Sequence, residues 1–347
     1  MQEKVAILIP TYNRPKFILD LCRFYSIFNF SNYIIILGDS SKPAVFNENA
    51  RIINNFPNVK IIHVKCPKKG PHEALLAITK IALTRKIKYC MFTGDDDYIY
   101  VNSLGELTKY LRTHSKFRSV RGRALLIGVN KRRRDGSLEK ITFYQKYWHH
   151  KDISQTNPIK RLEFLAENYL NLQFAMHRTS EFESQLAAKT GVSMGFFQEY
   201  SESFCSAILG KSKFIDVPYL IRLSHNYYGG NSYETIKKDN SNNALKLFFK
   251  LIYTDEIKIF TNNVISSMLL KKEYKINEIK FTKEILANKI YKSLVKISKN
   301  NESQENRPFI LKFAIKKVQK FRLKTYSYEI KIIEGFISSS SSKHNKA

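Results

Sequence analysis

Nowhere in its 347 residues does this chain run to about 18 consecutive apolar positions, the length a membrane-spanning helix needs. Its first apolar run, residues 5–9, is cut short by Pro10 and lacks a small-residue cleavage site. It does not read as a signal peptide. These two absences give a cytoplasmic protein as the expectation. Cysteine is scarce, and Cys22, Cys66, Cys90 and Cys205 show no C-x-x-C spacing. That excludes a zinc ribbon and a disulfide framework, leaving small core residues in a reducing compartment. Thirteen glycines and nine prolines are too few for a fibrous or low-complexity chain. Acids are also short, with 30 Asp and Glu against 58 Lys and Arg, a net charge of +28. Such a surplus favours nucleic acid, anionic lipid or anionic glycan as partners. A Lys-, Asn- and Ile-rich composition also follows from an AT-rich genome, so charge alone assigns no partner.

Hydrophobic residues make up 43% of the chain, ample for one large or two modest domains. Short apolar runs at 5–9, 33–37, 59–64 and 88–92 read as strands. Between and after them, 15–28, 45–55, 71–85 and 102–114 read as helices. This βαβαβαβα order predicts a parallel sheet with right-handed crossovers. Such sheets bind ligands beyond the carboxyl ends of their strands. Thr11–Arg14, Asp39–Ser41 and Asp95–Asp97 each follow a strand, so three polar clusters are expected on one rim. From about residue 119 the pattern changes, with strands at 119–129, 140–148, 172–177 and 214–223 and helices at 158–169 and 195–209. Beyond 230 the text is Lys/Ile/Asn-rich with helical periodicity, then a polar linker at 298–307 and a disordered tail at 338–347.

The densest chemistry lies in Tyr89-Cys-Met-Phe-Thr-Gly-Asp-Asp-Asp-Tyr98, an apolar strand ending in three carboxylates. That much negative charge at one strand end needs a positive partner. Read as extended chain, Asp95 and Asp97 point one way and Asp96 the other. Hard oxygen donors two residues apart suit Mg²⁺ or Mn²⁺, with a diphosphate completing the shell. A solvated loop or a helix N-cap is the alternative reading.

Three segments in order, Val5-Ala-Ile-Leu-Ile-Pro-Thr-Tyr-Asn-Arg14, Ile34-Ile-Ile-Leu-Gly-Asp-Ser-Ser41 and Gly94-Asp-Asp-Asp-Tyr98, resemble the inverting nucleotide-sugar glycosyltransferases of GT-A fold, family 2 type. More narrowly, they resemble bacterial members with a Gly-Asp-Asp-Asp-aromatic metal motif. The resemblance implies an α/β fold, Rossmann-like, with a mainly parallel sheet flanked by helices. The catalytic domain would cover 1–230, split into a nucleotide-sugar half (1–115) and an acceptor half (116–230), before a basic helical extension at 231–337. It also implies that Pro10, Thr11, Tyr12, Arg14, Asp39, Asp95 and Asp96 hold the nucleotide sugar. Asp97, Asp95 and His225 would hold Mn²⁺ or Mg²⁺, with Asp97 the likelier direct ligand. Where relatives carry two adjacent acids this chain has Gly38-Asp39, which puts base preference in question.

Inversion needs a carboxylate to take the acceptor's proton. Glu199 and, one helical turn later, Glu202 match the family's acid only in part, since Tyr200 replaces the usual following Asp. The implied donor is a nucleotide-diphosphate sugar, by family habit a UDP-sugar. The acceptor would be a glycan or lipid-linked hydroxyl in surface polysaccharide synthesis. Residues 308–333 and Lys131-Arg-Arg-Arg134 have the composition of segments that touch anionic lipid, which suggests peripheral membrane association. Two rivals are a nucleic-acid- or polyanion-binding protein and a sugar-phosphate nucleotidyltransferase. The second lacks the Gly-rich loop its chemistry needs, and clustered aspartates speak against the first. Oligomeric state is not legible.

Overall fold

The computed structural model describes residues 4–28, 32–129, 141–147, 151–168, 170–188, 190, 195–225, 259 and 262. Apart from 259 and 262, the expected extension at 231–337 lies outside the described residues, as do the tail at 338–347, the amphipathic stretch at 308–333, the linker at 298–307 and the basic run at 131–134.

The first half follows the predicted alternation: β1 (Val5–Thr11), α1 (Pro15–Tyr25), β2 (Tyr33–Asp39), α2 (Pro43–Asn54), β3 (Ile61–Lys65), α3 (Pro71–Thr84) and β4 (Tyr89–Phe92). Each of these helices opens on a proline, whose fixed φ suits a first turn and whose missing N–H costs nothing there. β1 pairs parallel to β2 and β4, and β2 parallel to β3. Both faces of this sheet are covered, as a parallel sheet requires. Val5, Ile7 and Ile9 of β1 enter one core with Ile18, Leu21 and Phe24 of α1. Ala6 and Leu8 enter the other with Ile78 of α3. The four cysteines are buried thiols, in keeping with core use.

The chain then forms β5 (Asp97–Ile99), α4 (Leu104–Thr113), β6 (Phe117–Val129), β7 (Ile141–Tyr147), α5 (Pro158–Glu167), β8 (Met176–Arg178), α6 (Thr179–Ala188), α7 (Gly195–Leu209) and β9 (Lys211–His225). The sheet order is β3-β2-β1-β4-β8-β6-β9-β5, with β7 paired to β6. Here parallel and antiparallel pairs mix. β5 follows β4 after a short turn yet sits at the far end of that order. The sheet must therefore curl until β9 and β5 face the end of β4, and this curl builds the site. The architecture is the predicted α/β class, a curled sheet flanked by helices. Among the described residues no helix is long and apolar enough to cross a membrane.

Candidate active site

The rim is assembled by stitching two loops together. Asn13 adopts a left-handed backbone (φ 53°), which Asn tolerates better than most residues. In that pose its N–H donates to Ser41 Oγ at 2.7 Å and its Oδ1 accepts from Lys42 N at 3.0 Å. Ser40 N donates to Thr11 O at 3.0 Å. The polar ends of β1 and β2 thus form one unit.

The acids after β4 differ from the sequence expectation. Residues 94–97 form a turn closed by Asp97 N to Gly94 O at 3.4 Å, and Asp97 begins β5 opposite Arg222. The alternation of an extended strand is therefore lost. Arg14 spans two neighbours, donating from one terminal nitrogen to Asp95 Oδ1 at 2.6 Å and from the other to Asp96 Oδ2 at 2.9 Å. Its guanidinium also lies 3.7 Å from the centre of the Phe17 ring. Thr11 donates to Asp95 Oδ2 at 2.7 Å. On the other side, Arg222 Nε donates to Asp97 Oδ2 at 2.9 Å and Leu223 N to Asp97 Oδ1 at 3.1 Å. Arg222 in turn lies 4.6 Å over Phe174. Each end of the acid cluster is thus held by an arginine backed by a phenylalanine.

Burial is the largest influence on Asp95 and raises its pKa to about 6, against Arg14, with Asp96 adding to the rise. Asp97 is raised to about 6 for the same first reason, opposed by Arg222. The two guanidinium groups do not fully offset the cost of burying this charge. Both acids hold their protons more tightly folded than unfolded, so unfolding releases protons between about pH 4 and pH 6. Their contribution to stability falls as pH rises through that window. The stability of the wild type relative to Asp95→Asn should fall by about 2 kcal/mol between pH 4 and pH 6.5 in chelator, read by urea denaturation. A flat difference would mean that Arg14 already compensates for burial.

An open cleft of ≈ 570 Å³ lies against this rim, lined among others by Tyr12, Arg14, Ser40, Lys69, Gly94 and Asp96. Pro10, Thr11 and Asp95 also line it. Tyr12 is 57% exposed, leaving a large aromatic face at the mouth. Lys69, Gly70 and Pro71, at the start of α3, line it too. A lysine just before a helix is ordinarily solvated surface. Yet Lys69 follows the carboxyl end of β3, so the rule that picked out the other loops also marks this one.

The acids fit a hard divalent cation in part. A Cβ placed on Gly94 would lie 2.8 Å from Asp96 Oδ1 and 4.0 Å from Asp97 Oδ2, so both oxygens border the space that the glycine leaves open. Among the described residues no three His, Cys, Asp or Glu side chains cluster around a metal position. Two carboxylates with the remainder from phosphate and water is a usual arrangement for Mg²⁺. Asp95 and Asp97 each have both oxygens engaged, by Thr11 and Arg14 and by Arg222 and Leu223 N, while Asp96 Oδ1 faces Gly94. His225 ends β9, and its side chain lies outside the described part.

Asp39 is fully buried. Its Oδ1 accepts from Ser41 N at 2.8 Å, and its Oδ2 accepts from Asn49 Nδ2 at 2.8 Å and meets His63 Nε2 at 2.9 Å. Burial pushes its pKa up, but these bonds outweigh it and the net shift is downward. All of these partners are protein groups.

Glu199 lies on α7, and its side chain is outside the described part. Glu202 is fully buried near Cys90, whose thiol is raised first by burial and further by that carboxylate. Cys90 pairs with His177, and His177 with Ser119 of β6, near the β6 end that meets the start of β9. Helix α7 reaches that start through Gly210 alone. The helix therefore descends away from the acids, and Glu199, a turn before Glu202, sits nearer to them.

Residues 6–165 match the model of a family described as glycosyl transferase family 2. No curated protein matches the chain. Solved structures similar to it include S. aureus TarS 1-349, at 11% identity over 87% of this chain and 92% of that one, with a TM-score of 0.45. The same TarS fragment in complex with UDP-GlcNAc aligns at 14% identity over 82% and 79%, with a TM-score of 0.44. In complex with UDP it aligns at 12% identity over 84% and 91%, with a TM-score of 0.41. Residues 6–165, a little under half of the chain, are thus similar to glycosyl transferase family 2.

Proposed function

We propose that the chain is an inverting glycosyltransferase. It would take a sugar from a nucleoside diphosphate, by family habit UDP, and transfer it to a hydroxyl of a glycan or lipid-linked acceptor in surface polysaccharide synthesis. The observation that carries this reading is the cleft itself. An exposed Tyr12, cationic Arg14 and Lys69, and the carboxylates of Asp95 and Asp96 meet in one opening at the carboxyl ends of parallel strands. The family match over residues 6–165 supports reading this geometry as donor chemistry.

The base stacks on Tyr12, and Asp95, fixed by Thr11 and Arg14, faces the ribose. Arg14 and Lys69, both lining the cleft, attract the diphosphate. Asp96 and Asp97 would hold Mn²⁺ or Mg²⁺ beside Gly94, with His225 as a further candidate. When bound, that ion supplies Lewis-acid stabilisation of charge on the departing diphosphate. Arg222 and Leu223 N keep Asp97 turned toward the same corner. On the acceptor side, Glu199 or Glu202 takes the hydroxyl proton during attack. The burial of Glu202 favours Glu199, because a base must touch the hydroxyl that it deprotonates. Cytoplasmic action with peripheral membrane attachment through 308–333 belongs to the same proposal.

The test is a screen of nucleotide sugars with Mn²⁺, scoring hydrolysis and thermal stabilisation. At least one donor should be hydrolysed slowly and raise the melting temperature. A chain stabilised by none of them, yet retaining a random oligonucleotide in a salt-sensitive manner, would favour the polyanion-binding reading instead.

A further inference from the structure

Neither residue that the family would use to grip the base with a carboxylate offers one to this cleft. Gly38 packs against α3, where a Cβ would lie 3.0 Å from Ile78 Cγ2 and 3.4 Å from the Ala74 carbonyl oxygen. An acid at that position would collide with the helix. Asp39 is fully buried and bonded to Ser41, Asn49 and His63, and Phe46 stacks on the His63 ring at 4.2 Å. Turning Asp39 toward the cleft would leave the Asn49 amide and the Ser41 N–H without their acceptor, a costly exchange in a buried position.

Ser40 sits between these groups and the opening. It lines the cleft, is 9% exposed, and its Oγ makes no hydrogen bond within the protein. Buried hydroxyls without partners are uncommon and call for a ligand or another explanation. Tyr12 and Pro71 line the same cleft.

We infer that Ser40 reads the edge of the nucleobase, and that the pocket therefore separates uridine from cytidine only weakly. This rests on the nucleotide-sugar reading above and adds its base selectivity. A carboxylate can only accept a hydrogen bond, so it selects the N3–H of uracil and rejects the bare N3 of cytosine. A hydroxyl rotates to donate or accept and meets either edge. Sites built around one fixed hydrogen bond discriminate by about 10⁴-fold or more, whereas a site that adapts does not.

The experiment is calorimetric titration of the full chain with UDP and with CDP in Mn²⁺, for the wild type and for Ser40→Ala. The wild type should bind both within about tenfold of each other. Ser40→Ala should weaken both by about threefold to tenfold, the range for one neutral hydrogen bond. A preference for UDP above about a hundredfold, or unchanged affinities in Ser40→Ala, would overturn the inference and leave the glycosyltransferase reading standing. If the wild type binds neither diphosphate, that reading fails and the inference falls with it. Ser40→Ala removes one buried oxygen that makes no hydrogen bond within the protein, and an unchanged melting temperature shows that the fold is intact.

Discussion

Replacing Asp97 with Asn should weaken Mn²⁺-dependent UDP binding by about a hundredfold or more while the protein stays folded. Outer-shell changes around metal sites already cost about 10- to 100-fold, so loss of a direct ligand sets a larger expectation. Asn can keep the bond from Leu223 N, because its carbonyl oxygen still accepts. It loses the charge that would bind a cation and that balances Arg222. The substitution also removes a buried carboxylate, so the melting temperature should change little. Calorimetric titration of the variant with UDP and Mn²⁺ reads the effect directly. An affinity within threefold of the wild type would remove Asp97 from the metal assignment.

The second large effect is expected at Glu199. Glu199→Gln should retain donor binding and lose transfer by about 10²- to 10⁴-fold, the contribution usual for a general base. Position along α7 supports this choice, since Glu199 precedes Glu202 on a helix that runs away from the acid end. Glu202→Gln should act differently: a fully buried carboxylate beside Cys90 is a packing element, and its replacement should move the melting temperature more than the turnover. Steady-state transfer rates and thermal melts on both variants separate the two roles. If Glu202→Gln loses transfer at full stability and Glu199→Gln does not, the base lies one turn further along the helix.

The first four strands were legible because their residues obey a two-sided rule. Val5, Ile7 and Ile9 serve one core and Ala6 and Leu8 the other, so the run is apolar throughout and bounded by polar turns. The rim was legible for the same reason, since the polar residues following each strand must gather at one end of a parallel sheet. Lys69 escaped notice although it obeys that rule, because lysines before a helix are ordinarily solvated. The pairing of Arg222 with Asp97 spans 125 residues and depends on how far the sheet curls, which no local pattern encodes. The turn at 94–97 was misread as extended strand because three aspartates carry no periodicity. Helix α6 was also missed. Phe182 and Leu186 do stand four apart and both are buried, but Gln185 and Glu181 are buried with them and blur the apolar stripe.

Central to the account is a cleft whose acids hold a divalent cation against a nucleoside diphosphate. Titration of the full chain with UDP, once in Mn²⁺ and once in EDTA, tests this most directly. The account predicts measurable binding that is at least about tenfold tighter with Mn²⁺, the scale on which a bridging metal contributes. Equal affinity in the two buffers, or no binding in either, would contradict it.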